Sequence, residues 1–199
     1  MIQEFDGMVP VVHPSAYVHP LAVVIGHVTI GPDCYIGAGA VLRGDWGRIE
    51  LERGCNVQEN CVLHMFPGIT VHLGTGAHIG HGAIVHGATI GPDCLVGMNA
   101  VLMDRAVLGA GCVVGALSFV PAETVWPERS LVVGNPAVRK GEVSDAMRAH
   151  KQEGTALYTA LPAEMHRHAR ETVPFAEDPG TRPAAFPEFE TWAERRRKP

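Results

Sequence analysis

Aliphatic residues recur along this chain at a spacing of six. One run is Val18, Val24, Ile30, Ile36 and Leu42; a second is Ile84, Ile90, Val96, Leu102, Leu108, Val114 and Val120. Glycine often follows directly, as at Gly31, Gly37, Gly91, Gly97, Gly109 and Gly115, and the string IGPDC occurs at both 30–34 and 90–94. A period of six fits neither the 3.6-residue helix nor the two-residue alternation of an ordinary sheet. It fits a short strand with one inward aliphatic side chain followed by a turn, for which Gly and Pro-Asp supply the chemistry. Three such units close a triangular coil of roughly eighteen residues, and coils stack about 4.8 Å apart. The predicted fold is mainly β, a single-stranded parallel β-helix of roughly seven coils between Val12 and Val133.

The rhythm breaks twice. It slips by one residue near Gly47–Arg48, where Ile49, Cys55 and Cys61 are read as restarting the series, and it breaks again between Met65 and Thr70. Breaks in a solenoid are where loops leave one face, and such faces often carry function. After Val133, GNPAVRK reads as an exit turn. Ser144 is placed to cap a helix, with Glu142 and Asp145 near its positive end. That helix is expected to run toward Val173, weakened by Gly154 and kinked or broken at Pro162. The expected organisation is a β-helix domain over 1–135, a C-terminal helical segment packing on the prism over 136–175, and an extended tail over 176–199.

Composition narrows the classes. Apolar residues make up 46% of the 199, enough for a full core, and the net charge is −5. Basic residues cluster only at Arg195 to Lys198, so no nucleic-acid partner is expected. No stretch is apolar and long enough to cross a membrane. The opening residues lack a basic region followed by an apolar run, so a cytoplasmic location is expected. Cys34, Cys94 and Cys112 fall four residues after an aliphatic, where the wall bends and must be small, while Cys55 and Cys61 are read as aliphatic positions. All five are expected to be buried small hydrophobes rather than disulfides.

Five of the eleven histidines, His64, His72, His78, His81 and His86, fall within 23 residues. Imidazole nitrogens are common zinc ligands, and three on one ion must lie within about 4 Å of one another. His64 and His86 are 22 residues apart. Removing a four-residue excursion in the Met65–Thr70 loop leaves one coil, which stacks the two on adjacent rungs. His81 stands five residues before His86, with a corner between them, and its side chain diverges. A neighbouring prism would have to supply it, giving a threefold arrangement with three sites between subunits and water in an open fourth position. His72 and His78 lack the stacking relation and are read as surface residues.

LRGDWGRI, CNVQENCVLH and HIGHGAIVHG, in that order within hexapeptide repeats, resemble the γ-class carbonic anhydrase-like family. The resemblance implies left-handed winding, a homotrimer with metal sites between subunits, and His64, His81 and His86 as ligands of Zn2+, with Fe2+ or Co2+ as alternatives. It matches Arg43 and Asp45 to an interface ion pair, and Asn56 and Gln58 to an element in which Gln58 holds the metal-bound hydroxide. Glu59, read as facing away from Gln58 by strand alternation, is a further candidate base. Tyr158 on the C-terminal helix is a candidate hydrogen-bond donor near the site. From about residue 4 to 175 the chain is similar to the branch of phenylacetic acid degradation proteins of the PaaY type, with CaiE-type carnitine-operon proteins as near relatives.

One departure bears on the substrate. Where the carbonic anhydrases of this family carry acidic proton shuttles, this chain has Trp46 after Asp45 and no Asp or Glu between His64 and His81. CO2 hydration needs repeated proton export. A rim of Trp46, Met65 and Phe66 suits an acyl group instead. The expected activity is hydrolysis of an acyl-CoA thioester, as in the phenylacetate branch. The alternatives are CO2 hydration with His72 as shuttle, acyl transfer as in other hexapeptide proteins, and a non-catalytic trimer stapled by metal.

Overall fold

The computed structural model describes residues 1–181 and 189–197. Residues 11–134 form a parallel β-solenoid of about seven turns, as the period predicts, consistent with the hexapeptide-repeat left-handed β-helix that the resemblance implies. On one face, seven strands stack from Tyr17–Val18 through Tyr35–Ile36, Asn56–Val57, His78–Ile79, Leu95–Val96 and Val113–Val114 to Ser130–Gly134. The long strands Val23–Ile30 and Val41–Leu51 turn a corner and join the other two faces. The core is a column of inward aliphatics, among them Ile30, Ile36, Leu42, Leu63, Ile79, Ile90 and Leu102, all at most 1% exposed.

Strand pairing corrects the phase of the repeat in two places. Leu51 pairs with Ile30, Val57 with Ile36 and Leu63 with Leu42, so the series restarts at Leu51, three residues late rather than one. Cys55 and Cys61 therefore sit four residues after an inward aliphatic, like the other cysteines, and all five are buried free thiols. Ile84 is 39% exposed, whereas Val85 is fully buried and pairs with Leu63 and Leu102. The step from Val85 to Ile90 is thus one residue short, and the second run does slip. Gly87, with φ of 61°, makes the tight corner that absorbs it.

The exit segment is an antiparallel hairpin of Ser130–Gly134 with Ala137–Glu142. Helix α1 follows over Asp145–His168, with the Ser144 side chain accepting from the Met147 N–H. It ends at His168, short of Val173, and Pro162 lies inside it without ending it. Lys151, Thr155 and Pro162 share one buried stripe, so packing on the prism offsets the hydrogen bond that the proline removes. The helix lies on the face formed by Tyr17–Val18, Tyr35–Ile36 and Asn56–Val57. Lys151 pins it, with Nζ 2.6 Å from Asp93 Oδ1 and 2.9 Å from the Gly76 carbonyl. Part of the expected tail packs back on α1. A helical turn, Trp192–Arg195, stacks Trp192 on His150 and pairs Arg195 with Glu153. Residues 182–188 and 198–199 of the tail lie outside the described residues.

Lys151→Met keeps the packing of the side-chain stem and removes the cation from two acceptors. We expect a loss of about 1.5–3 kcal/mol in denaturant unfolding. Arg148, whose half-exposed guanidinium is 3.7 Å from the same carboxylate, should cost less than about 1 kcal/mol when replaced by alanine.

Candidate functional site

Strand alternation turns His64 and His86 outward, because their neighbours Leu63 and Val85 point into the core. The two histidines are direct partners on adjacent rungs, with ring centroids 5.4 Å apart. This is the stacking that the 22-residue separation predicted. Asp104, one rung further, accepts from His86 Nδ1 at 2.9 Å. On the rung below, Arg43 Nη2 is 2.7 Å from His64 Nε2, Asp45 Oδ1 is 3.2 Å from the same nitrogen, and Arg43 and Asp45 pair at 3.3 Å. Burial and the Arg43 charge hold the His64 pKa below the ordinary imidazole value, which favours its neutral form.

Aromatic side chains flank these rings. The Trp46 ring is 5.4 Å from His64 and the Phe66 ring 5.0 Å from His86. Both are about half exposed, at 50% and 54%. Met65, expected on the same rim, is fully buried and belongs to the core. The Met65–Thr70 loop leaves the wall one residue later than the break suggested, and Met65 fills space beside Gly47, where even a methyl group would meet the Ile69 carbonyl and the Met65 Cγ.

The remaining candidates form a second group beneath and beside α1. His81, on the turn after the strand His78–Ile79, places Nδ1 2.7 Å from Glu59 Oε2, and Glu59 Oε1 accepts from the Tyr35 hydroxyl at 2.9 Å. Gln58 Oε1 accepts from the His81 backbone N–H at 3.2 Å, and Gln58 Nε2 donates to Asn56 Oδ1 at 3.1 Å. Glu59 and Gln58 therefore both reach His81, against the expected alternation. They follow the strand Asn56–Val57 in a turn where Asn60 has positive φ, so the two-residue period no longer applies. Burial pushes the Glu59 carboxyl up, but its backbone bond, Tyr35 and His81 outweigh it and leave it below the usual value. Tyr158 reaches the same place from α1, its ring 6.0 Å from Tyr35 and 5.0 Å from His78.

His78, read from the pattern as a surface residue, is largely buried under the helix with Nε2 2.6 Å from Gln58 Nε2. Burial, with Lys151 and His81 adding to it, pushes its pKa down to about 3. Its position one residue before the inward Ile79 marked it as outward; only the helix stripe carrying Lys151, Thr155 and Tyr158 signals that this wall is covered. His72 lies on another face and meets Glu52 Oε1 at 3.2 Å.

Among the described residues, no three His, Cys, Asp or Glu side chains of one chain are disposed to hold a metal. His64 and His86 stand in one group, and His81 stands in the other with Asn56, Gln58, Glu59 and Tyr158.

The carnitine operon protein CaiE of Escherichia coli (strain SMS-3-5 / SECEC) is 45% identical over 179 residues, covering 90% of this chain and 91% of the relative. The bacterial transferase hexapeptide (six repeats) pattern matches residues 10–44 and 87–122. This chain belongs to the hexapeptide-repeat transferase family. Two solved structures share its fold over most of their length. A candidate acetyltransferase from Bacillus cereus superposes with a TM-score of 0.82 at 28% identity, over 84% of this chain and 97% of that one. A hexapeptide transferase family protein from Anaplasma phagocytophilum gives 0.79 at 32% identity, over 82% and 97%. The curated hexapeptide-repeat relative carries a carnitine-operon name, the near-relative branch expected from the motifs. No helix among the described residues is long and apolar enough to cross a membrane.

The donor chemistry of this hexapeptide-repeat protein fits a metal ion. A histidine whose Nδ1–H is held by a carboxylate has its ring fixed and its Nε2 lone pair free for a cation. His86 with Asp104 and His81 with Glu59 both have this arrangement. His64 stacks on His86, and its Nε2 is shared by Arg43 and Asp45 within the single chain. For His64 to ligate through that nitrogen, the guanidinium would have to move aside.

Proposed function

We propose that the protein is a metal-dependent acyl-CoA thioesterase of the phenylacetate-branch type, acting as a homotrimer with sites shared between subunits. The observation that carries this reading is the division of carboxylate-held histidines between two separate groups of one chain. A second copy is the simplest way to bring His81 of one subunit to His64 and His86 of another, and threefold closure makes three equivalent sites. Zn2+ suits three imidazoles, with Fe2+ or Co2+ as alternatives. When bound, the ion supplies acidification of water and polarisation of the thioester carbonyl.

The chain's own residues divide the remaining work. Asp104 and Glu59 fix the rings of His86 and His81. Gln58 Oε1 accepts a hydrogen bond from the attacking water and so orients it toward the thioester carbon; as the carbon–oxygen bond forms the carbon–sulfur bond breaks, CoA leaves as thiolate, and the proton lost by the water passes to solvent. Trp46 and Phe66 offer an exposed apolar surface for the acyl group beside His64 and His86. The carboxylates near these rings, Asp45, Asp104 and Glu59, are all engaged with Arg43 or a histidine. Both reactions release a proton, but fast CO2 hydration depends most on a shuttle to export it, so the engagement of these carboxylates favours a thioester over CO2.

Acyl transfer from CoA to an acceptor is the second reading, favoured by the transferase names of the structural relatives at 28% and 32% identity. Release of free CoA from a panel of acyl-CoAs separates the readings. Release with water alone, lost on chelation and restored by Zn2+, Fe2+ or Co2+, is the expected result. Release only when an amine or alcohol acceptor is present would assign acyl transfer. CO2 hydration without any thioester cleavage would sink the proposal in favour of a carbonic anhydrase.

A further inference from the structure

The role assigned to His78 so far is none: it is not a proposed metal ligand, and the reaction above uses no atom of it. Its strand places it in register with Asn56 on one side and Leu95 on the other. Its Nε2 and the Gln58 Nε2 are 2.6 Å apart. Two nitrogens at that distance form a hydrogen bond only if one donates and the other accepts.

The backbone decides which. The His81 backbone N–H can only donate, and it lies 3.2 Å from Gln58 Oε1. The amide oxygen of Gln58 therefore faces His81, and its NH2 faces Asn56 and His78. An NH2 group has two protons. One goes to Asn56 Oδ1 at 3.1 Å and the other to His78 Nε2. His78 Nε2 is then the acceptor, and the neutral ring carries its proton on Nδ1. That Nδ1 is buried without a hydrogen-bond partner among the described residues, and the Tyr158 ring stands almost perpendicular to the imidazole, at 81°. A buried N–H without a partner carries a desolvation penalty, which a phenyl ring in the same place would avoid. The feature that an imidazole adds here is the lone pair on Nε2.

We infer that His78 is a positioning residue: as a neutral imidazole protonated on Nδ1, it takes the second amide proton of Gln58, so that only the carbonyl oxygen of Gln58 is offered to the reacting water. The inference rests on the water-orienting role of Gln58 proposed above. Both protons of the amide are committed within the chain, and the remaining lone pair on Oε1 can only accept. Without His78 the second amide N–H is left free, and only the His81 N–H and Asn56 Oδ1 hold the amide, so its oxygen is less firmly fixed toward the water.

The test uses the metal-loaded full chain and three variants of it. His78→Phe keeps a planar ring and removes the acceptor; His78→Gln restores an acceptor oxygen at about the position of Nε2. For an acyl-CoA, His78→Phe should lower kcat about tenfold and leave KM within about twofold. His78→Gln should recover most of that loss, and metal content should be unchanged in both. Nitrogen-15 NMR supplies a readout independent of activity. The wild-type His78 ring should show a protonated Nδ1 and a bare Nε2. The Gln58 side-chain amide signals, identified by their absence in Gln58→Glu, should shift in His78→Phe and return in His78→Gln. A ring protonated on Nε2, or a His78→Phe protein with wild-type kcat and unchanged Gln58 signals, overturns the inference. If the wild-type protein cleaves no thioester, the proposed function fails, and the tautomer and the amide signals still decide the role of His78. Should His78→Phe not fold, the wild-type tautomer and the His78→Gln signals decide it.

Discussion

Co-expressing His86→Ala and His81→Ala chains is expected to restore thioester hydrolysis that neither variant has alone. Each variant by itself should lose more than about a hundredfold in activity, since even outer partners of metal ligands cost about ten- to a hundredfold. The two lesions lie in different groups of the chain, His86 with Asp104 and His81 with Glu59. If each site takes one group from each of two neighbours, a mixed ring of three contains one junction with both groups intact, whichever variant is in the majority. Mixed trimers purified through two different tags should therefore show about a third of wild-type activity and about a third of its metal content. Mixed trimers as inactive and metal-poor as the parents would defeat the shared-site reading.

Met65→Ala should destabilise the protein by about 2–5 kcal/mol, because it empties a fully buried side chain from a packed core. Phe66→Ala, one residue on, should change stability by less than about 1 kcal/mol, since its side chain is 54% exposed. The order reverses for function. Phe66 lies against His86 at 5.0 Å, so its removal should raise KM for long or aromatic acyl-CoAs more than for acetyl-CoA. Denaturant unfolding and KM across an acyl series measure the two effects. Equal destabilisation by both variants would contradict the placement of Met65 in the core and Phe66 on the rim.

The six-residue rhythm was sufficient to read the solenoid and its number of turns, because each coil must bury an aliphatic at the same place. The pairing of His64 with His86 followed from counting alone. What counting could not do was choose between adjacent apolar residues. Ile49 and Leu51 are both buried, and Ile84 and Val85 are both aliphatic, so a count started from either member looks regular. Hydrogen bonding to the neighbouring rungs settles the choice, pairing Leu51 with Ile30 and Val85 with Leu63. Met65 was misplaced for the same reason: a loop boundary read from pattern carries an error of about a residue or more, and one residue separates core from rim.

By itself the sequence determined the repeat, the stacking of two histidines, the capped helix and the departure of His81 from that pair. All of these depend on contacts one coil apart or less, and a regular period encodes such contacts directly. The tertiary structure alone decided what covers the wall. Helix α1 docks through Lys151 on Asp93, 58 residues away, and through His166 on the Ala16 carbonyl, 150 residues away. No local period records contacts of that range. That docking covers His78, sets Tyr158 against Tyr35 and His78 beside the Gln58–His81 contact, and turns an outward histidine from a solvated wall position into one packed under a helix.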